Sequence, residues 1–331
     1  MHRRAVLTAL LALPALAACH EKPMLGQQKP AMDPKRLQKE VDAIAKRVAP
    51  TTLGAAAEDL GTRQLWSYDG DRAFPLGAGA RVPVLAATMA ETAAGRLPLS
   101  ETLPVRDVDL SPPPSTVADA WPGRQAYTVE ELETLALKGD ATALDLLTAR
   151  IGGPGAVNGW LGVKGLAGIS VDRYRRQALT EDHGMASFRA DWKGQEAWRR
   201  ALGSVPATDR VRAETKRRTD PRDAATPVGM VRLLEAFESG EAFPHPNAAR
   251  LLGRDSGYLA AVLPKGASLA QAADSATPDL SVISSTHAIG VVTLEDGRKV
   301  ALTVFLGAST LDLATRERIV GDVARTILKE F

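Results

Sequence analysis

The sequence predicts an α/β (α+β) fold, an antiparallel sheet flanked by helices with an all-α lobe inserted into it. Strand-like segments cluster at the two ends of the chain, while the long middle carries helix start and stop signals. Size agrees: 331 residues, 45% hydrophobic and 24% charged, suit two lobes, because single cores stop growing near about 250–300 residues.

The first 18 residues stand apart. Arg3 and Arg4 precede an apolar run from Ala5 to Ala18, and its 14 residues fall short of the roughly 20 that span a hydrocarbon core. Residues 1–18 therefore read as an export signal rather than a membrane helix. Leu16-Ala17-Ala18-Cys19 resembles the sequence cut by the lipoprotein signal peptidase, which makes Cys19 the candidate lipidation site. The alternative is ordinary cleavage and a soluble periplasmic protein. Cys19 is the single cysteine, so no intramolecular disulfide forms. Residues 19–32, polar with two prolines, suit a lipidated tether.

Folded sequence begins at Asp33-Pro34, a cap and a first-turn proline. Leu37, Val41, Ile44 and Val48 follow at helical spacing. Thr52 to Leu60 and Gln64 to Tyr68, joined by Gly61-Thr62-Arg63, read as a hairpin. Helices follow from Val82 to Ala94, ended by Gly95, from Thr128 with Glu131 as a capping box, from Asp140 as a cap, from Pro154, and from Thr226-Pro227. A second hairpin pairs Ala288 to Leu294 with Lys299 to Leu306 around Glu295-Asp296-Gly297, and Ile319, Val323 and Ile327 mark a closing helix. The division is an α/β lobe of about 33–76 and 222–331 with an all-α lobe of about 77–221.

Charge excludes some partners. Removing residues 1–18 takes away Arg3 and Arg4 and no acid, so 41 Lys+Arg fall to 39 against 39 Asp+Glu. A neutral body has no field to favour nucleic acid, and membrane contact is expected through the lipid anchor only. The cluster Arg210, Arg212, Lys216, Arg217 and Arg218 reads as a solvated helix face. His183, His245 and His287 lack metal-ligand spacing, so no metal and no cofactor is expected. Trp121, Trp160, Trp192 and Trp198 read as packing residues, and the charged stretch 184–219 as an insert over a cleft.

Several stretches in order resemble the class A serine β-lactamases. Ala55 to Leu60 with Trp66-Ser67-Tyr68 is similar to the family's first hairpin, and Phe74-Pro75-Leu76 with Val82-Pro83-Val84 to the approach to the nucleophile and the helix after it. Asp172-Arg173-Tyr174 resembles the start of the omega loop. Asp220-Pro221-Arg222-Asp223 with Thr226-Pro227 and Met230 resembles the hinge into the last lobe. Gly266 to Ala270 resembles the strand leading to the family's Lys-Thr-Gly. The resemblance spans residues 33–331 and implies a β-lactamase/transpeptidase-like fold.

The matching chemistry is absent. Where the family has its nucleophilic serine and the lysine three residues on, this chain has Ala78 and Arg81. Alanine carries no attacking lone pair, and arginine is a poor proton acceptor at neutral pH. Ser-Asp-Asn becomes Gly139-Asp140-Ala141, with Asp140 read as a helix cap. The omega-loop glutamate matches Arg175, and Lys-Thr-Gly matches Ala272-Ala273-Asp274, where a carboxylate would repel an acidic substrate. The resemblance thus implies a catalytically inactive envelope lipoprotein that binds an unknown envelope protein or small anionic ligand. The alternatives are a hydrolase with relocated residues such as Ser284, Ser285 or His287, and a purely structural protein. Paired charges are the expected state of the old cleft, with Arg81 or Arg175 facing Asp140 or Asp274. Substituting Cys19→Ala is expected to abolish incorporation of a palmitate analogue and move the protein from the membrane to the soluble fraction. Equal labelling of mutant and wild type would refute the lipidation site.

Overall fold

The computed structural model describes residues 32–240, 257–271, 274–275 and 284–331, and residues 33–331 belong to one compact unit. Cys19, the export signal, His245 and Ala272-Ala273 lie outside the described residues.

Helix α1 (Pro34–Val48) starts where Asp33 accepts from the backbone N–H groups of Lys35 and Arg36 at 3.1 and 3.0 Å. It buries Leu37, Val41 and Ile44, three of the four positions whose spacing marks it in sequence. Strands β1 (Thr52–Asp59) and β2 (Leu65–Tyr68) pair antiparallel, Ala55 opposite Tyr68. Asp59 closes their turn by accepting from Gly61 N and Thr62 N, both at 2.9 Å.

The C-terminal end supplies the rest of the sheet: β7 (Ser268–Gln271), β8 (Asp274–Ser275), β9 (Ser284–Thr293) and β10 (Lys299–Ser309). The order is β2-β1-β10-β9-β7, with β8 also on β9, and every pairing is antiparallel. Chain termini therefore meet in the sheet centre, where β1 lies beside β10, Leu53 opposite Leu306. β10 is buried along almost its whole length, because α10 (Pro227–Glu238) and α11 (Leu313–Leu328) both pack against it.

Strand β9 starts at Ser284, earlier than the apolar run from Ala288 suggests, and β10 runs on to Ser309. Ladder pairing carries the polar residues Thr286 and His287 into the core, past an irregularity between Leu306 and Ser309. Hydropathy does not register this, since the backbone bonds rather than the side chains extend the strands.

The middle of the chain is helical: α2 (Arg81–Ala93), α3 (Thr116–Ala120), α4 (Val129–Leu137), α5 (Ala141–Arg150), α6 (Pro154–Val163), α7 (Arg175–Glu181), α8 (Gln195–Ser204) and α9 (Ala207–Arg217). Thr128 and Glu131 form the expected capping box of α4. Two short antiparallel pairs, β3 (Phe74–Pro75) with β6 (Ala224–Ala225) and β4 (Thr102–Pro104) with β5 (Ala126–Thr128), join segments far apart in sequence. No helix among the described residues is long and apolar enough to cross a membrane.

One core links sheet and helices through Phe74, Phe305, Ile289 and the buried faces of α2, α5 and α10. The rings of Phe74 and Phe305 stand 5.6 Å apart. Gly54 permits this, because a Cβ there would lie 2.5 Å from the Phe74 ring.

Glu133 on α4 carries a half-buried carboxyl. Its Oε1 is buried without a hydrogen-bond partner among the described residues, and burial, then the charge of Glu130, pushes its carboxyl up to about 7. A folded-state value raised above the unfolded 4.5 means stability that is full below that value and lost as pH rises through about 7. Glu133→Gln is therefore expected to match wild type near pH ~4 and to be about 1–3 kcal/mol more stable near pH ~8 in urea unfolding. Equal stability at both pH values would show that the carboxyl is solvated.

Candidate functional site

Three segments carry the sequence-predicted site residues, the turns into α2, α5 and α7, and α5 packs on both α2 and α7. The first runs from β3 into a 3-10 turn, Gly77–Ala80, that opens directly into α2 at Arg81. His287 Nε2 donates to the Pro75 carbonyl at 2.8 Å, and Leu76 N donates to the Asp223 carbonyl at 2.7 Å. Ala78 sits half-buried on this turn, and β8, which carries the backbone of Asp274, runs beside it. The side chain that this turn carries at Ala78 is a methyl group.

The second segment is the loop into α5. Gly139 has φ +90°, a left-handed conformation that a side chain strains, although nothing stands within 4 Å of where its Cβ would be. Asp140 caps α5 through Ala143 N at 2.9 Å, as the sequence indicates. It also accepts from Ser115 Oγ at 2.9 Å and Val117 N at 3.0 Å. This corrects the expected ion-paired cleft for Asp140: its acceptors are filled by a hydroxyl and two amides, and no arginine pairs with it among the described residues. Ala141 is buried, its N–H on the Pro114 carbonyl.

A polar chain continues from there. Thr142 Oγ1 donates to Ser115 Oγ at 2.7 Å, since the single Ser115 proton goes to Asp140, Ser111 N donates to Thr142 Oγ1 at 3.0 Å, and Ser111 Oγ donates to Asp145 Oδ2 at 2.7 Å. Asp145 accepts the first two N–H groups of α7, from Arg175 at 2.6 Å and Arg176 at 2.9 Å. Burial pushes its carboxyl up, while the Arg176 amide, the Ser111 hydroxyl and the Arg175 amide pull it back down. Sequence reasoning passes over Ser111 and Asp145, because a lone serine and an apolar-helix aspartate carry no local signal.

The third segment is the one holding Arg175. Asp223, at φ +49°, accepts from Asp172 N at 2.7 Å, Arg173 N at 3.0 Å and the Arg173 guanidinium at 2.5 Å, while its own N–H donates to Asp172 Oδ2 at 3.0 Å. Arg173 also pairs with Glu181 at 2.8 Å. The backbone is thereby tied down, yet the Arg175 side chain forms no ion pair among the described residues.

Residues 184–219 form a small core of their own around Met185, Trp198 and Leu202. Phe188 packs on both this core and the main one. The Lys193 ammonium donates to the Trp121 carbonyl and lies 5.4 Å from the Trp121 ring, and the Arg176 guanidinium donates to the Val108 carbonyl. Lys193 thus ties the stretch to Trp121, and Arg176 ties α7 to Val108. Of the five basic residues expected on a solvated face, three are exposed: Lys216, Arg218 and Arg212, the last 78% exposed and paired with Asp209. Arg210 is half-buried and Arg217 turns in toward Asp182 at 4.0 Å, a correction to that expectation.

Of the relocated candidates, Ser285 and His287 are described, and the side chain of Ser284 lies outside the described residues. Ser285 is buried, Thr286 Oγ1 accepts from Arg316 Nε at 3.0 Å, and His287 uses Nε2 as a donor to Pro75, with its ring edge-on to Phe305 at 4.7 Å.

A family model described as the β-lactamase enzyme family matches residues 36–331. A β-lactamase of Rhodobacter capsulatus is 34% identical over 124 residues, a match that spans 35% of this chain and only 42% of that protein. β-Lactamase VEB-1 of Pseudomonas aeruginosa is 20% identical over 284 residues, 82% of this chain and 83% of that protein. The chromosome-encoded β-lactamase of Vibrio parahaemolyticus superposes with a TM-score of 0.68 at 22% identity, covering 88% of this chain and 98% of that one. An ancestral class A β-lactamase gives 0.68 at 24% identity, covering 89% and 100%. At such identities the superpositions show the fold alone, and the fold is that of the class A β-lactamases.

Asp145→Ala is expected to cost about 2–4 kcal/mol, because it leaves two backbone N–H groups and a hydroxyl without their acceptor. Hydrogen exchange over residues 175–181 should accelerate more than over α2. Unchanged exchange in α7 would show that the aspartate does not hold it.

Proposed function

Because the chain belongs to the β-lactamase enzyme family, we propose that it is a non-hydrolytic member, exported and held at the cell envelope through Cys19, that binds rather than cleaves. The carrying observation is Ala78, a methyl group on the turn that leads into α2. The other groups that acyl transfer needs are replaced in concert: Arg81 for the lysine, Gly139 and Ala141 around Asp140, and Arg175 for the glutamate. Ser111, Ser115 and Thr142, the hydroxyls nearest Asp140 and Asp145, hydrogen-bond to one another and to those carboxylates inside the core. They hold backbone in place and meet no solvent.

What the old cleft favours is an anion. Arg175 stands where the family has a carboxylate, and its guanidinium carries a fixed charge with donors suited to an acid group. A small anionic ligand or an acidic patch of an envelope protein is the partner this chemistry recognises.

Purified protein is expected to show no turnover of a chromogenic cephalosporin above buffer and no covalent penicillin adduct by intact mass. Ala78→Ser alone should not restore hydrolysis, since catalytic groups act as a unit and Gly139 would need a new backbone conformation before it could carry a hydroxyl. Stoichiometric acylation of the wild type would overturn the non-hydrolytic reading.

A further inference from the structure

Away from Ala78 and Arg175, a cleft of about 450 Å³ opens between the loop after α6, the turn at Asp71 and the first turns of α10. Glycines shape its wall. At Gly168, φ +79°, a Cβ would lie 2.5 Å from Thr226 Oγ1, and at Gly229 it would lie 2.7 Å from the Ala167 carbonyl. Loop and helix therefore meet backbone to backbone, with Thr226 N donating to the Gly168 carbonyl at 2.8 Å.

Both signs of charge line this cleft: Lys164 and Arg232 as cations, Asp71 and Glu235 as acids. Arg232, with its side chain 38% exposed, engages the protein through Nη1 alone, toward Glu58 at 2.7 Å and Glu235 at 2.9 Å. Its Nε and Nη2 edge has no partner among the described residues. Glu235 and the fully buried Glu58 are each held by a second cation, Arg63. Their charges are thus matched within the cluster, and the outer edge of Arg232 remains for an incoming acid group. Asp71 is exposed and makes no hydrogen bond or ion pair among the described residues.

We propose that this cleft is a binding site for a zwitterion of amino-acid to dipeptide size, with its carboxylate on the Arg232 fork and its ammonium on Asp71. The volume falls in the range of about 300–1,000 Å³ typical of small-molecule sites. A ligand carrying one charge only would leave the opposite group on the wall unanswered. The inference does not depend on whether the chain hydrolyses β-lactams, because none of these residues belongs to the Ala78 site.

Isothermal titration of the purified protein with glycylglycine tests it, with N-acetylglycine as the anion-only probe and ethylamine as the cation-only probe. Saturable binding of glycylglycine, at least about tenfold tighter than either single-charge probe, is expected. Asp71→Asn and Arg232→Gln should each weaken it about tenfold or more. Arg232→Gln also deprives buried Glu58 of a partner and can disturb folding, so the exposed Asp71→Asn keeps the test decisive. No saturable binding of glycylglycine, equal binding of N-acetylglycine, or undiminished binding by Asp71→Asn would each overturn the proposal.

Discussion

Asp223 is the point on which the arrangement around Ala78 and Arg175 depends. One carboxylate receives two backbone amides and a guanidinium from Asp172 and Arg173, its own N–H returns a bond to Asp172, and its carbonyl takes the N–H of Leu76. Leu76 and the Asp172-Arg173 pair, 96 positions apart at their nearest, are thereby held at one place. Asp223 and Arg173 are each 8% exposed at the side chain, and removing one partner from a buried pair typically costs about 3–5 kcal/mol. The positive φ of Asp223 adds backbone strain that these bonds offset.

Satisfaction of buried polar groups explains why hydroxyls and carboxylates cluster around the start of α5. Asp140 and Asp145 each take three donors, and the serines and threonine between them share protons along one chain. A carboxylate that accepts backbone amides at a helix start stabilises the fold and does not serve as a base. The same principle accounts for His287, whose proton goes to the Pro75 carbonyl and so keeps the turn before Ala78 in position.

Much of this was legible in residue order alone. Helical spacing of Leu37, Val41 and Ile44, the Thr128–Glu131 capping box and the Asp140 cap each act within a few residues, so a linear reading finds them. The order of the β-lactamase-like stretches marked the fold. Less legible were β3 with β6, β4 with β5, and the N-terminal part of β9, since each depends on pairing with a strand distant in sequence. Ser111 and Asp145 escaped for the same reason: a donor and acceptor 34 positions apart leave no periodic trace.

What the sequence by itself determined is therefore the chemistry that is missing: no fold can give Ala78 a hydroxyl or make Arg175 a base at neutral pH, because those are properties of the side chains. What only the tertiary structure decided is where the remaining charges go. Asp140 was free, on sequence grounds, to pair with an arginine, and the fold instead surrounds it with Ser115, Val117 N and Ala143 N. Glu58, Arg63, Arg232 and Glu235 come from β1, its turn and α10, and only their convergence leaves one guanidinium edge beside a cleft. The physical reason is distance: electrostatic and hydrogen-bond energies fall off within a few ångströms, and only folding brings such groups that close.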